Sequence, residues 1–203
     1  MNKSQLTNFI TKYTLGGEIK STKWTSNGDS LSTRFISGDK SVVGRVELNK
    51  FSHLKPCELG VYNTGQLTSL LSVLGDDVEV KLSNSGDKFI SMELEDTKRK
   101  TKSKYMLSDL SVIPTPPELK NLPDSFELGI KVDPYFVSTF ISGKGALSEA
   151  ETFTILTENG ETKIVIGYAS IASNRVTIPV ETTKSADIEP ISFNANMFAS
   201  ILN

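Results

Sequence analysis

The sequence predicts an α+β fold in which a helix followed by a three-stranded antiparallel meander recurs along the chain. Three observations support this prediction. Helices with apolar residues at i, i+3 and i+4 have anchors 61, 69 and 62 residues apart in the 203-residue chain. Turn signals separate strand-like runs after the first three helices, and a proline-rich segment divides the chain near its middle. We therefore expect two similar domains, each of two strand–helix–meander modules, with the fourth module truncated.

The four predicted helices share their apolar spacing and, in three cases, the sequence that leads into them. Stretches that begin at Glu58, Glu127 and Glu189 align without a gap, and each passes a capping residue before its helix. Asp133 followed by Pro134 is the clearest helix start, because proline suits the first helical turn. The capping residues are Asn63, Asp133 and Asn194, and the apolar triplets are Leu6/Phe9/Ile10, Leu67/Leu70/Leu71, Phe136/Thr139/Phe140 and Phe198/Ile201/Leu202.

A meander of three strands is predicted after each of the first three helices. Asn-Gly or Gly-Asp dipeptides favour tight hairpin turns at 26–29, 84–87 and 158–161. The predicted strands are 18–25, 30–37 and 41–48, then 78–82, 88–94 and 99–107, and finally 152–157, 162–168 and 174–180. The fourth helix begins shortly before Asn203, so we expect either a fragment or an unusually short fourth module.

A proline-rich connector separates the two predicted domains. Prolines at 114, 116, 117 and 123 forbid a helix and weaken any strand, so the segment 113–123 is expected to be a semi-stiff linker. The N-terminal domain then spans 1–112 and the C-terminal domain 124–203.

Composition and charge exclude several classes of function. No apolar run approaches the roughly 20 residues that a membrane span needs, and the net charge of −2 provides no global basic field. The single cysteine, Cys57, excludes an intrachain disulfide and a thiolate cluster, and the single histidine, His53, excludes a multi-histidine metal site. The segment 51–57, which contains both residues, includes no carboxylate that could orient them. We therefore expect no catalytic residue, metal or cofactor, and hence no enzyme.

A helix pair backed by a sheet, present twice in one chain, resembles the DNA sliding clamps. The segments 58–62 (Glu-Leu-Gly-Val-Tyr), 66–77 (Gln-Leu-Thr-Ser-Leu-Leu-Ser-Val-Leu-Gly-Asp-Asp) and 78–80 (Val-Glu-Val) resemble the clamps of T-even-type tailed bacteriophages. The module order is similar over essentially the whole chain, whereas the residue-level likeness is concentrated in 58–94. Members of that family carry further strands after the fourth helix.

This resemblance implies a DNA-clamp fold and a homotrimer in which helices line a central hole and sheets lie outside. It implies a processivity factor for DNA replication, which encircles duplex DNA without sequence specificity and tethers the viral DNA polymerase. The implied partners include a separate ATP-dependent clamp loader and the factors of viral late transcription, in the cytoplasm of the infected host cell. No membrane association is expected.

A different function class remains as the alternative: a β-rich virion structural or binding protein without DNA-tracking activity. Equivalent helices at near-even spacing disfavour it, since a virion β-sandwich has no need of them. A carbohydrate hydrolase that uses acids such as Glu93 or Asp77 is a more distant alternative, because these acids are expected to be exposed surface residues.

The predicted DNA-facing surface is the side of each helix that lies opposite the apolar stripe. Its residues are small and polar and include almost no acid, which suits a ring that slides without tight base contacts. An ordinary solvated helix face is the competing interpretation, although such a face more often carries Glu and Lys. The predicted DNA-facing residues are Lys3, Ser4, Asn8, Lys12, Ser69, Ser138, Lys144, Asn196 and Ser200.

Two further surfaces are predicted. The resemblance implies that peptide tails of polymerase and loader dock beside the connector, where Ile113, Leu119 and Leu122 are apolar; the competing interpretation is that these side chains pin the connector to the domains. The longest basic run, 98–104, alternates as a strand with its lysines on one face. We expect a solvated outer face there, with DNA contact or a partner surface as alternatives. Trp24 is expected to serve in a core or an interface.

Overall fold

The computed structural model combines α-helices with antiparallel β-sheets, in two compact units formed by Met1–Leu119 and Lys120–Asn203. The division falls inside the segment predicted as the connector, 113–123. Leu119 and Leu122 lie outside the residues that the structure describes. The described residues are 1–118, 125–169, 171, 173–184 and 186–202.

In its described residues, the first unit contains two copies of a helix followed by three strands, with one strand between the copies. In chain order the elements are α1 (Lys3–Thr14), β1 (Thr22–Ser26), β2 (Ser30–Ile36), β3 (Val43–Asn49), β4 (Cys57–Val61), α2 (Thr64–Ser72), β5 (Val78–Ser85), β6 (Lys88–Asp96) and β7 (Lys102–Met106). One sheet has the strand order β3-β2-β1-β4, and the other has the order β5-β6-β7. Helix α1 contacts both β3 and α2, and α2 contacts β7.

The second unit repeats the first sheet of the first unit in strand order and direction. In chain order its elements are β8 (Gly129–Ile130), α3 (Pro134–Ala146), β9 (Thr152–Glu158), β10 (Glu161–Ile166), β11 (Val176–Pro179), β12 (Thr182–Lys184), β13 (Ile191–Asn194) and α4 (Ala195–Leu202). The order β11-β10-β9-β13 matches β3-β2-β1-β4, because in both sheets the strand before the second helix pairs with the first strand of the meander. Helices α3 and α4 contact each other, as α1 and α2 do. The predicted repeat is therefore present in the topology.

A short side chain with an amide or carboxylate group caps the start of every helix described. Asn63 accepts a hydrogen bond from the Gln66 N–H at 3.0 Å, and Asp133 accepts one from the Phe136 N–H at 2.8 Å. Asn194 accepts a hydrogen bond from the Met197 N–H at 2.9 Å, and Asn2 accepts one from the Ser4 N–H at 2.8 Å. These bonds satisfy N–H groups that the first helical turn leaves without a partner. The three predicted caps are confirmed.

The predicted apolar stripe packs against the core on α1 and α2 but is shifted on α4. Ile201 is 54% exposed, whereas Ala195 is fully buried. Phe198 packs its ring against Phe140 and Phe153, with ring centroids 5.0 and 4.8 Å apart. Packing against this aromatic cluster places the stripe of α4 on Ala195 and Phe198, so the predicted contribution of Ile201 to the core is wrong.

Two predicted strands begin three or four residues later than the pattern indicated. The strand predicted from residue 18 begins at Thr22, because Leu15–Gly17 forms a 3-10 turn after α1. The strand predicted from residue 99 begins at Lys102, because a turn precedes it in which Lys100 has a φ of 60°. In both places a left-handed backbone residue interrupts the extended chain.

Trp24 is completely buried in the core of the first unit, where it belongs to a chain of polar contacts. Its indole N–H donates to the Tyr13 hydroxyl at 3.2 Å, and the Tyr13 and Thr64 hydroxyl oxygens are 3.3 Å apart. The Thr64 hydroxyl also donates to the Lys20 carbonyl at 3.1 Å. Burial raises the pKa of Tyr13 to about 12. The network joins α1, β1 and the start of α2, which assigns Trp24 to the core.

Of the helices in the described residues, none combines the length and the apolar composition that crossing a bilayer requires. The longest of them, α3, has 13 residues. A span of the hydrocarbon core needs about 20 residues of helix.

We expect Tyr13→Phe to lower the free energy of unfolding by about 1–3 kcal/mol, because it leaves the buried Trp24 N–H without its acceptor. Urea denaturation followed by Trp24 fluorescence measures this. Tyr62→Phe is the matched control, since Tyr62 is 58% exposed, and we expect it to change stability by less than about 0.5 kcal/mol. Equal stabilities for the two variants would contradict the role of the network.

Candidate functional site

The four helices in the described residues contain no aspartate or glutamate, although the chain has 24 of these residues. They have 12, 9, 13 and 8 residues, so the absence extends over a substantial part of the chain. The acids of the described residues lie instead on strands, in turns and in loops. Of the predicted DNA-facing residues, those that are exposed are Ser4, Asn8, Lys12, Ser69, Ser138 and Asn196.

The serine hydroxyls of this surface donate to the backbone of their own helices. Ser69 donates to the Gly65 carbonyl at 3.0 Å, and Ser138 donates to the Tyr135 carbonyl at 2.9 Å. Ser200, which is half-buried, donates to the Asn196 backbone carbonyl at 3.0 Å. Because each proton is already used within the helix, these hydroxyls offer an incoming ligand mainly weak acceptor sites.

Two of the predicted DNA-facing lysines have partners within their own unit. The ammonium of Lys3 donates to the Leu74 carbonyl, which lies after the end of α2, and Lys3 is half-buried. Lys144 is half-buried and donates to the Ser148 carbonyl at 2.8 Å. Lys12 is exposed at the last turn of α1. The structure therefore assigns Lys3 a structural contact that its sequence position did not suggest, and leaves Lys12 as the exposed cation on α1.

Three lysines of the basic run 98–104 lie close to acids on or beside the same sheet. Lys102 lies 3.5 Å from Glu93 and 3.4 Å from Glu95, and Lys98 lies 2.9 Å from Asp77. Partial burial would raise the pKa of Glu95, but the hydrogen bond from Lys102 and the nearby positive charges hold that pKa below its usual value. These pairs neutralise much of the run and fit a solvated outer face of the sheet.

The first part of the predicted connector packs on the first unit. Ile113 is 3% exposed, so its side chain belongs to the interior of the unit and is not available as a surface anchor. The Lys23 ammonium donates to the Thr115 hydroxyl at 3.1 Å, and Arg34 donates to the carbonyls of Pro116 and Pro117. Residues 113 and 115–117 of the predicted connector therefore contact the first unit.

A close backbone approach anchors the start of this segment. The Ser108 N–H donates to the Gly60 carbonyl at 2.9 Å, and a Cβ on Gly60 would lie 2.2 Å from the Ser108 carbonyl oxygen. The same Cβ position is 3.5 Å from the side chain of Ile113. The absence of a side chain at Gly60 is thus what allows the segment to lie on β4.

Cys57 and His53 are not brought together with any acid in a way that forms a catalytic group. His53 is exposed, and partial desolvation followed by the positive charge of the N-terminus lowers its pKa; its ring packs edge-on against Phe51 at 5.2 Å between centroids. Burial raises the pKa of the Cys57 thiol, which disfavours the reactive thiolate. Within the described ranges, no group of three His, Cys, Asp or Glu side chains could hold a metal ion.

Asp96 is a buried carboxylate whose role the sequence did not indicate. It is 2% exposed and accepts hydrogen bonds from the backbone N–H groups of Gly75, Lys98 and Arg99, at 2.7, 2.8 and 2.9 Å. The bond from Arg99, followed by those from Lys98 and Gly75, holds the pKa of Asp96 below its ordinary value, although desolvation opposes them. The carboxylate thereby ties the segment after α2 to the turn between β6 and β7.

We expect Asp96→Asn to lower the melting temperature by about 5 °C or more at neutral pH, because the amide cannot accept from all three N–H groups. The pKa of Asp96 is depressed by folding, so its contribution is complete above the unfolded pKa and is lost as the pH falls through the folded pKa. The difference between wild type and variant should shrink as the pH is lowered from 5 through 3.8 and below, and a constant difference would contradict this account.

We expect Gly60→Ala to lower the free energy of unfolding by about 1–3 kcal/mol, because its Cβ collides with the Ser108 carbonyl. Proteolysis within 109–118 should accelerate at the same time, since the segment loses its anchor. The control is Gly65→Ala on α2, where the nearest atom lies 3.7 Å from the added Cβ and alanine raises helix propensity. Equal stability of the two variants would show that the close approach of Ser108 to Gly60 does not determine the free energy of unfolding.

Neither a protein-family model nor a curated protein matches the chain. Three features of the described residues stand out: the acid-free helices, the repeated sheet topology and the packing of the segment after Ser108. Of these three features, only the composition of the helices and the repeat were visible in the sequence.

Proposed function

We propose that this chain is a subunit of a DNA sliding clamp, a ring that encircles duplex DNA and tethers a replicative DNA polymerase. The observation that carries the proposal is that the four described helices lack carboxylates in a chain with 24 acids. Because duplex DNA carries one negative charge about every 1.7 Å along its axis, a surface that faces it closely is stabilised by excluding acids.

The chemistry of the helix surface also suits movement along DNA. Strong contacts to bases would fix the protein at one sequence, whereas weak contacts to phosphates carry no sequence information. Ser69 and Ser138 have already used their protons on backbone carbonyls of their own helices, and Lys12 is an exposed cation on α1. Such a surface would hold DNA through the closed ring rather than through many bonds.

The repeated topology supports the same proposal. Each unit pairs two helices with a sheet of the same strand order, which is the arrangement a ring of repeated modules requires. The ion pairs of Lys98 and Lys102 leave the sheet β5-β6-β7 close to neutral, as expected of an outer surface. A homotrimer, an ATP-dependent loader, late-transcription factors and action in the infected host cytoplasm belong to this proposal.

The proposal is tested by combining the solution mass with the topology of DNA binding. Light scattering should reveal a trimer of the 22.2 kDa chain whose population rises with protein concentration. Gel filtration should retain the protein on a nicked circular plasmid and lose it after a single cut, because an open end lets a ring slide off. Equal retention on circular and linear DNA would contradict the clamp, and a monomer that binds neither form would favour the virion or binding protein.

A matched pair of variants tests the acid-free helix surface itself. We expect Asn8→Asp combined with Ser69→Asp to reduce retention on circular DNA about two- to fivefold, because two carboxylates are added to the exposed helix surface. Ser83→Asp combined with Thr101→Asp adds the same charge at exposed positions on and beside the sheet β5-β6-β7 and should leave retention unchanged. Equal losses in the two variants would show that net charge, rather than the helix surface, controls binding.

A further inference from the structure

Three cationic side chains form a row across neighbouring strands of the sheet β3-β2-β1-β4. Lys23 on β1 is the direct cross-strand neighbour of Arg34 on β2, and Arg34 is the direct neighbour of Arg45 on β3. Residues in such positions share one face of the sheet, and like charges placed directly opposite one another are destabilising. The row therefore opposes folding unless an anion compensates it.

Compensation within the chain is incomplete. Arg45 forms an ion pair with Glu47 at 2.9 Å. Among the described residues, neither Lys23 nor Arg34 has a carboxylate oxygen within 4.0 Å, and their observed partners are the uncharged Thr115 hydroxyl and the carbonyls of Pro116 and Pro117. The Nε of Arg34 is buried and has no hydrogen-bond partner in the part of the chain that the structure describes. A buried donor without an acceptor costs folding free energy, so this nitrogen points to an acceptor that the described residues do not supply.

A cavity of about 260 Å³ lies beside this row. Lys23, Arg34 and Arg45 contribute to its wall, Thr115 and Pro116 close it from the segment packed on the sheet, and Glu58 borders it. The volume accommodates a side chain or a short peptide segment and is far too small for a duplex. Glu58 disfavours a continuous run of phosphates, whereas a single carboxylate can pair with the guanidinium and the ammonium.

We propose that this cavity binds a carboxylate of an extended acidic peptide from a partner protein. Arg34 supplies the planar donor group, Lys23 adds a second charge, and Thr115 and Pro116 hold the peptide against the sheet. The site rests on the charge row and cavity of the first unit alone. Its failure would therefore leave the proposed DNA-clamp function untouched.

The first test uses the whole chain labelled with ¹⁵N and two peptides that differ in one group. The probe is acetyl-Gly-Ser-Gly-Glu-Gly-Ser-Gly-amide, and its control carries Gln in place of Glu. We expect the Glu peptide to shift the Arg34 Nε–H and Thr115 N–H resonances saturably, and the Gln peptide to shift them little. Equal shifts with both peptides, or no shift with either, would overturn the proposal.

A charge-matched pair of variants and a nucleic-acid probe complete the test. Lys23→Gln should weaken binding of the Glu peptide about three- to fivefold. Lys104→Gln removes the same charge from an exposed position on β7 and should leave the binding of that peptide unchanged. Equal weakening by the two variants would overturn the site. A 20-base-pair duplex should leave the Arg34 Nε–H resonance in place, and a shift with the duplex but not with the peptide would assign the row to nucleic acid instead.

Discussion

The antiparallel pairing of β1 with β4 is the constraint on which the rest of the first unit depends. Its register places Trp24 opposite Leu59, and both side chains are buried. Because α1 precedes β1 and α2 follows β4, this pairing brings the two helices together over one sheet face. The contacts from Trp24 through Tyr13 to Thr64 then tie both helices to that sheet. The pairing of β13 with β9 creates the equivalent arrangement in the second unit.

The arrangement of helices and strands distributes the charged side chains unevenly over the surface. The net charge of −2 conceals a separation of charge, because the described helices carry no acid and the acids of the described residues lie on strands, in turns and in loops. On the sheet β5-β6-β7, Glu95 is surrounded by lysines, so that surface is internally neutral. On the sheet β3-β2-β1-β4, Lys23 and Arg34 lie side by side without a carboxylate partner among the described residues. These surfaces therefore suit different ligands.

Local sequence features predicted much of the fold because the forces behind them act over a few residues. The caps at Asn63, Asp133 and Asn194 were predictable, since a side-chain oxygen that accepts from an N–H three residues later needs no distant partner. Hairpins also followed from their turns: Gly28 and Gly160 have φ values of 99° and 78°, which glycine adopts without a steric penalty. Repetition of these signals was enough to indicate two similar halves.

Contacts between residues far apart in the sequence could not be predicted from local sequence patterns. The exposure of Ile201, the burial of Ile113 and the bond from Lys3 to the Leu74 carbonyl each depend on a neighbour that spacing within one element cannot identify. Thus the amino-acid pattern alone accounts for the helices, their caps, the turns and the acid-free helix composition, because these arise from short-range propensity and periodicity. The cation row at Lys23 and Arg34, the buried Asp96 and the position of the connector arise from strand register and packing, which bring together residues more than ten positions apart.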